Sequence, residues 1–192
     1  MPQLYWPIAR SGQQYPVLLD YWLAENTAGR HLYAGLYTSQ VAARGDSAAR
    51  QAWPAREIVD QVALQRSRPA AGGHVHFSMV ALMQDRDGIA TLLQNGHYAK
   101  PALVPATPWR LLLPPPAPRL RAAGAAVQID PGAPVAGGVA SWAVWRRLAQ
   151  RWHFAVLPAP ERSVAAAGAD AVVVAAVDRV GKLGPHSSMD TP

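Results

Sequence analysis

The 192-residue sequence contains no cysteine, which excludes disulfides, thiolate metal sites and a cysteine nucleophile. It also lacks any apolar run of the roughly 18 residues that a membrane-spanning helix needs, so we expect no transmembrane segment. The first residues do not combine a basic stretch with an apolar stretch, and no signal peptide is visible. Charged residues make up only 16% of the chain and hydrophobic residues 50%, which indicates a globular protein.

Lysine is almost absent, although the net charge is +6. The two lysines are Lys100 and Lys182, and the other basic residues are arginines in a sequence rich in Ala, Pro and Gly. A nucleic-acid-binding surface needs basic residues along one face with aromatic residues between them, whereas these arginines are scattered. We therefore attribute the bias to a GC-rich coding sequence and predict no nucleic-acid partner.

Two shifts in composition divide the chain. Residues 1–112 alternate short apolar runs with longer helical patterns, and residues 113–118 read LPPPAP, which predicts an extended proline-rich linker. Residues 119–184 carry short β-like runs separated by Gly and Pro. Residues 185–192 are polar, and we predict a disordered tail.

The first segment repeats a strand followed by a helix. Strand patterns occur at 3–6, 31–37 and 74–78, and helical patterns at 17–25, from Pro54 onward and at 80–95. This alternation predicts an α/β fold whose three strands are parallel and lie in the order first, second, third. Because three strands leave both edges of a parallel sheet uncovered, we interpret the segment as the end of a larger α/β domain.

Five short motifs follow one another through residues 1–112: PQLYWP from Pro2, GLYTS from Gly35, WPAREI from Trp53, HFSM from His76 and PALVP from Pro101. In order and spacing they resemble glycosyl-hydrolase-like family 10, a group of bacterial envelope proteins that act on peptidoglycan glycan strands. The resemblance implies that residues 1–112 are the last three βα units, strands six to eight, of a TIM-type (β/α)8 barrel. It also implies a location in the cell envelope, in the periplasm or outside the cell.

The same resemblance implies a small all-β, fibronectin-III-like sandwich over residues 119–184. Strand patterns at 127–129, 141–145, 153–157 and 170–177 agree with it. Three tryptophans of this segment, Trp142, Trp145 and Trp152, are candidates for either the sandwich core or sugar binding. We favour the core, because so small a sandwich needs large buried side chains.

Active sites of such barrels lie at the carboxyl ends of the strands. Gln3 and Tyr5 are two apart on one strand and share a face, and Trp6 lies next to the break at Pro7. The other candidate substrate-binding residues at strand ends are Tyr37, His76 and Ser78. The alternative for Tyr5 and Tyr37 is that they are packed core residues with a satisfied hydroxyl.

Glycoside cleavage needs two carboxyl groups that flank the scissile bond. The acidic residues of the first segment fall in predicted helices, as solvated groups or caps, except Asp46, which lies in the loop after the second strand. The resemblance puts the catalytic carboxylates on an earlier strand outside this sequence, so no catalytic residue is named. His74 and His76 share a strand face, but no third ligand is evident nearby, and we predict no metal and no cofactor.

These observations predict the C-terminal part of a glycoside hydrolase that acts on a peptidoglycan-type glycan by acid/base hydrolysis. We expect the chain to be inactive alone. The alternative is a non-catalytic carbohydrate-binding or interaction module.

Overall fold

The computed structural model describes residues 1–43, 51–134 and 138–191. The chain divides into two compact units, Met1–Ala99 and Lys100–Pro192. The first unit mixes helices with short parallel strands, and the second consists of antiparallel strands. Within the described ranges, every helix is too short or too polar to span a bilayer.

The sheet of the first unit has the predicted parallel order. Strand β1 (Tyr33–Leu36) pairs in parallel with β2 (Gly73–His76), and Gln3 forms a parallel bridge to Gly35 on the other side of β1. The prediction of three parallel strands in chain order is therefore confirmed, although the first strand is reduced to a single bridge. After Leu4 the backbone leaves the sheet, and the backbone groups of Trp6 and Ile8 hydrogen-bond to the side chains of Gln61 and Glu57.

In the described part of this unit the sheet is accompanied by the helices α1 (Tyr15–Glu25), α2 (Ala55–Arg66), α3 (Met79–Met83) and α4 (Ile89–Asn95). Helix α2 presents Ile58 and Val62 to the core, as the sequence pattern predicts. The core lies between the helices and one face of the sheet, and its largest buried side chains include Leu4, Tyr15, Leu19, Leu36, Ile58 and Leu93.

The helix predicted over 80–95 is wrong as a continuous element. Asp85 and Asp87 both adopt positive φ angles of 42° and 51°, and a short 3-10 turn (Arg86–Gly88) separates α3 from α4. The carboxylate of Asp85 accepts hydrogen bonds from the backbone N–H groups of Ala90 and Thr91, so it caps α4. The carboxylate of Asp87 accepts a 2.7 Å hydrogen bond from the N–H of Ala55, at the start of α2.

The described residues of the second unit form seven strands in two antiparallel sheets. One sheet has the order β3 (Arg119–Ala123), β4 (Ala126–Asp130), β7 (Ser163–Ala165). The other has the order β6 (Arg151–Pro158), β5 (Ser141–Leu148), β8 (Ala169–Val177), β9 (Leu183–Asp190). Val127 and Val164 of the first sheet share one buried cluster with Trp142 and Val174 of the second, so the sheets form a sandwich around this core.

Two predictions for this unit need correction. The tail predicted to be disordered forms β9, which pairs with β8 from Leu183 to Asp190. Its polar composition fits a strand at the sheet edge, where one face is solvated and Met189 packs against the core.

The predicted proline-rich linker is also part of the second unit, and the division of the chain falls after Ala99 rather than at residue 112. The N–H of Thr107 donates a 2.8 Å hydrogen bond to the carbonyl of Val180. The Ser187 hydroxyl donates to the carbonyl of Pro118. Proline has no N–H, but its carbonyl still accepts hydrogen bonds. These two hydrogen bonds hold residues 107–118 against β9 and the turn before it, rather than leaving them in solvent.

Candidate functional site

An aromatic cluster lies at the carboxyl ends of the parallel strands. The rings of Tyr5 and Tyr37 are stacked, with centroids 5.0 Å apart, and Phe77 stacks on Tyr5 at 5.5 Å. Trp53 meets Tyr37 edge-on at 6.0 Å. Tyr5, Tyr37 and Phe77 each follow a different strand, and Trp53 lies in the loop after β1. The parallel sheet therefore brings together aromatic residues that are more than 70 positions apart in sequence.

Two clefts adjoin this cluster and share Tyr5, Trp6 and Tyr37. One, of about 410 Å³, is completed by Pro7, Arg10, Gln40, Gln51 and Trp53. The other, of about 300 Å³, is completed by Gln3 and Phe77. Their walls therefore combine aromatic faces with amide groups and one guanidinium, the mixture expected where a polar ligand with apolar faces binds.

Gln3, Tyr5 and Leu4 follow the alternation predicted for a strand. Gln3 and Tyr5 both line the smaller cleft, while Leu4 between them is buried in the core. Tyr5 is only partly buried, and burial together with the neighbouring Tyr37 raises the pKa of its phenol. Its hydroxyl therefore stays protonated at neutral pH and is available as a hydrogen-bond donor as well as an acceptor.

The segment that carries Trp6 and Pro7 is held by helix α2. The N–H of Ile8 donates a 2.7 Å hydrogen bond to Glu57 Oε1. Gln61 Nε2 donates both to the same carboxylate oxygen, at 2.8 Å, and to the carbonyl of Trp6, at 3.2 Å. Glu57 and Gln61 thus fix the wall of the cleft from behind.

Trp53 is placed by backbone pairing with the segment after β1. Its N–H donates to the carbonyl of Gln40 at 2.9 Å, and its carbonyl accepts from the N–H of Ala42 at 3.1 Å. Gln40 is buried, and its side-chain amide donates to the carbonyl of Gln51 at 3.1 Å. Gln40 therefore joins both ends of the intervening loop, which contains Asp46; that residue lies outside the described residues.

Ser78 takes part in the hydrogen bonds that join the segments following β1 and β2. Its N–H donates a 2.8 Å hydrogen bond to Ser39 Oγ, and the N–H of Ser39 donates to the carbonyl of Phe77 at 2.9 Å. These bonds tie the segment after β1 to the segment after β2. Ser78 lines neither of the two clefts.

His76 lies on the opposite face of β2 from Phe77. Its Nδ1 is 2.7 Å from Thr38 Oγ1, and its Nε2 is 2.7 Å from the hydroxyl of Tyr98. Burial lowers the pKa of His76, so the ring is neutral at physiological pH. His76 lines neither cleft. Phe77, whose side chain points to the opposite face, lines the smaller cleft instead.

The sequence analysis predicted four of the residues that line the clefts, Gln3, Tyr5, Trp6 and Tyr37, but not the remaining lining residues. The residues it did not name are Trp53, Phe77, Arg10, Gln40 and Gln51. A signal was present for two of them, since Trp53 and Phe77 stand in the WPAREI and HFSM motifs. No sequence pattern pointed to Arg10 or the two amides.

The described lining of both clefts contains no carboxylate. Acidic side chains of this unit serve the scaffold: Asp20 pairs with Arg68, Asp60 pairs with Arg56, and Glu57 and Asp87 accept backbone N–H groups. Within the described ranges, no three His, Cys, Asp or Glu side chains form a metal-binding group. The described lining offers aromatic faces and hydrogen-bonding groups, but it supplies no acid/base pair for glycoside cleavage.

The chain is similar to a curated protein, the glycosyl hydrolase YngK of Bacillus subtilis (strain 168), with 36% identity over 110 residues. The match covers 56% of this chain and 21% of that protein, so the chain spans about a fifth of the length of the relative. The chain is thus related to glycoside hydrolases. It matches no protein-family model, and a specific assignment to family 10 does not follow.

Two solved structures resemble the chain weakly. The superoxide reductase of Giardia intestinalis is 11% identical and covers 41% of this chain and all of its own, with a TM-score of 0.32. The spore cortex lytic enzyme SleM of Clostridium perfringens is 10% identical and covers 92% of this chain and 75% of its own, with a TM-score of 0.30. Neither similarity is strong enough to bear on the fold or the function.

Proposed function

We propose that the aromatic clefts of residues 1–99 bind a glycan of the peptidoglycan type, as part of a glycoside hydrolase-like protein. One observation carries the proposal: Tyr5, Tyr37, Phe77 and Trp53 gather at the carboxyl ends of parallel strands in a chain related to a glycosyl hydrolase. Pyranose rings have apolar faces that pack on aromatic rings and hydroxyls that bond to amides, so a sugar matches both components of the cleft walls.

We further propose that the parallel strands are strands six to eight of a (β/α)8 barrel. In support, β2 turns Val75 and Phe77 away from the helices, and these side chains are 42% and 52% exposed. A closed barrel would cover such a face with side chains of other strands. The glycosyl hydrolase relative is also about five times as long as the matched segment, which leaves room for further βα units.

For the second unit we propose a fibronectin-III-like fold. Its support is the division of the seven described antiparallel strands into sheets of three and four strands around one core. The chain returns once to the first sheet, at β7, after it has formed β5 and β6 of the second. We assign this unit no catalytic role and, in line with the envelope resemblance, place the protein outside the cytoplasm.

Because the described clefts contain no carboxylate, we propose that this chain binds glycan but does not hydrolyse it alone. The test is a titration of the 192-residue chain with purified peptidoglycan glycan strands, followed by calorimetry, together with an assay for new reducing ends. We expect saturable binding without turnover. Release of reducing ends by the purified chain would refute the second part of the proposal.

Variants separate the aromatic clefts from the alternative of a carbohydrate-binding sandwich. We expect Tyr37→Ala and Trp53→Ala each to weaken binding about tenfold, equivalent to about 1.4 kcal/mol. The matched controls are Trp22→Ala, at an exposed tryptophan of α1, and Trp152→Ala, at a tryptophan of β6 that is 48% exposed. Loss of binding in Trp152→Ala with retention in Tyr37→Ala would favour the sandwich as the binding module.

A further inference from the structure

The aromatic side chains of the candidate site form a row that extends into both clefts. Tyr5 and Tyr37 stack on each other in the middle of the row, with centroids 5.0 Å apart. On the side of the smaller cleft, Phe77 lies 6.2 Å from Tyr37, and on the side of the larger cleft, Trp53 lies 6.0 Å from Tyr37. The two clefts share the wall made by Tyr5, Trp6 and Tyr37. The row therefore offers more than one position on which a flat apolar face can stack.

The sizes of the clefts match single sugar residues. Their volumes of about 410 and 300 Å³ lie near the lower end of the range for ligand pockets, about 300–1,000 Å³. Consecutive pyranose rings of a glycan are joined through one oxygen atom, so their centres are separated by little more than two rings in contact. Two small clefts with a common wall therefore fit two consecutive rings of one chain better than two separate ligands.

The polar groups of the two clefts differ. The larger cleft contains the guanidinium of Arg10, whereas the smaller cleft has the neutral amide of Gln3 in addition to the shared wall. Arg10 is exposed, and its backbone is held in a turn: its N–H donates to the carbonyl of Pro7 and its carbonyl accepts from the N–H of Gln13, both at 3.2 Å. The positive charge is thus presented at one end of the aromatic row.

The charge of Arg10 is not neutralised by the acidic side chains around it that the structure describes. Within the described ranges, the ion pairs of the first unit join Arg56 to Asp60 and Arg68 to Asp20, and neither includes Arg10. The carboxylate of Glu57, behind the wall of the cleft, accepts hydrogen bonds from Ile8 and Gln61. A guanidinium offers N–H donors in a planar fork that matches the two oxygens of a carboxylate. A ligand carboxylate is therefore the group that complements the larger cleft.

We propose that the two clefts are adjacent and unlike subsites for two consecutive sugars, and that Arg10 directs the sugar that carries a carboxylate to the larger cleft. This inference rests on the proposed function, since both clefts must bind one glycan chain. In a peptidoglycan-type glycan two sugars alternate, and one of them bears a lactyl ether with a carboxyl group. Two unlike subsites fix the register in which such an alternating chain lies along the aromatic row.

The first experiment measures how affinity depends on chain length. The full chain is titrated by calorimetry with N-acetylglucosamine and with its β-1,4-linked disaccharide. We expect the disaccharide to bind at least about tenfold more tightly, because it fills both clefts. Phe77→Ala removes a ring that lines only the smaller cleft and is 52% exposed, and we expect the ratio of the two affinities to fall below about threefold. The matched control is Trp22→Ala, at an exposed residue of α1, which should keep the ratio of the parent protein.

The second experiment measures the preference for charge. The ligands are a disaccharide of N-acetylglucosamine and N-acetylmuramic acid with a free carboxylate, and the same disaccharide with that group converted to the primary amide. At low ionic strength we expect the parent protein to bind the acid about fivefold more tightly than the amide, and Arg10→Gln to reduce this preference below about twofold. Arg56→Gln removes the same charge from a side chain of α2 that is 74% exposed and lines neither cleft, and should retain the preference.

The proposal and the proposed function fail in different ways. A disaccharide that binds no more tightly than the monosaccharide would overturn the proposal of two subsites. Equal binding of the acid and the amide by the parent protein, or a preference that survives in Arg10→Gln, would overturn the role of Arg10. In these cases, binding of glycan strands that depends on Tyr37 would leave the proposed function intact. Absence of binding to every glycan tested would refute both.

Discussion

The backbone N–H of Ile8 donates a 2.7 Å hydrogen bond to the carboxylate of Glu57, 49 residues later in the chain. Gln61, one turn further along helix α2, donates to the same carboxylate and to the carbonyl of Trp6. The position of the Trp6 side chain in the cleft wall is therefore set by α2. Helix α2 in turn begins at Ala55, whose N–H is bound by the carboxylate of Asp87.

The first prediction concerns Glu57→Ala. The change leaves the N–H of Ile8 and one donor of Gln61 without a partner, and hydrogen bonds to a charged group are worth about 1.5–3 kcal/mol. We expect a loss of that size in the free energy of unfolding, measured by urea denaturation, and weaker glycan binding. Glu57→Gln retains an oxygen acceptor and should recover most of both. Equal losses in the two variants would show that the carboxylate does not position the Trp6 segment through this hydrogen bond.

The second prediction separates the tryptophans of the sandwich. Trp142 is fully buried between the sheets and donates from Nε1 to the carbonyl of Ala159 at 3.3 Å, whereas Trp152 is half-exposed beneath the Arg147 guanidinium. Removal of a buried tryptophan side chain costs about 3–5 kcal/mol, so Trp142→Ala should strongly destabilise the second unit in urea. Trp152→Ala should change the free energy of unfolding by under about 1 kcal/mol. Similar effects of the two variants would place Trp142 outside the core.

The third prediction is a pH dependence that arises at the break between α3 and α4. Hydrogen bonds from the side chain and backbone of Thr91, and from the backbone of Ala90, lower the pKa of the Asp85 carboxyl. A lowered pKa in the folded state means that this stabilisation is present above the ordinary value of about 3.9 and is lost as the pH falls below it. We expect the parent protein to lose more stability between pH 6 and pH 3 than Asp85→Asn does. Parallel stability curves for the two proteins would contradict this assignment.

Sequence patterns predicted those parts of the fold in which local periodicity and tertiary packing agree. The apolar repeat of Ile58 and Val62 gave helix α2, and the alternation of strands and helices gave the parallel order of the sheet. The break at Asp85 and Asp87 was missed, because both aspartates fit the polar face of a helix and their capping partners become visible only in three dimensions.

The candidate site was predictable in part for a similar reason. Tyr5 and Tyr37 stand at predicted strand ends, so topology alone brings them together. His76 and Ser78 were predicted to bind substrate because both stand at the end of the third strand, but neither lines the two clefts. His76 instead faces the helices, where Thr38 and Tyr98 satisfy its nitrogens, and Phe77 contacts the tyrosines.

The last prediction tests the polar segment at the end of the chain. Strand β9 pairs with β8 along most of its length, and Met189 packs against the sandwich core. A stop codon after Gly184 would remove nearly all of this pairing and expose the edge of β8, whose Val172 and Val174 are fully buried in the parent protein. We expect amide hydrogen exchange in β8 to accelerate at least tenfold and the second unit to lose cooperative unfolding, because the core loses one of its seven strands. Met189→Ser retains the backbone pairing and should give an intermediate effect. If the truncated chain exchanged and unfolded like the parent, the segment would contribute nothing to the sandwich, as its polar composition alone suggests.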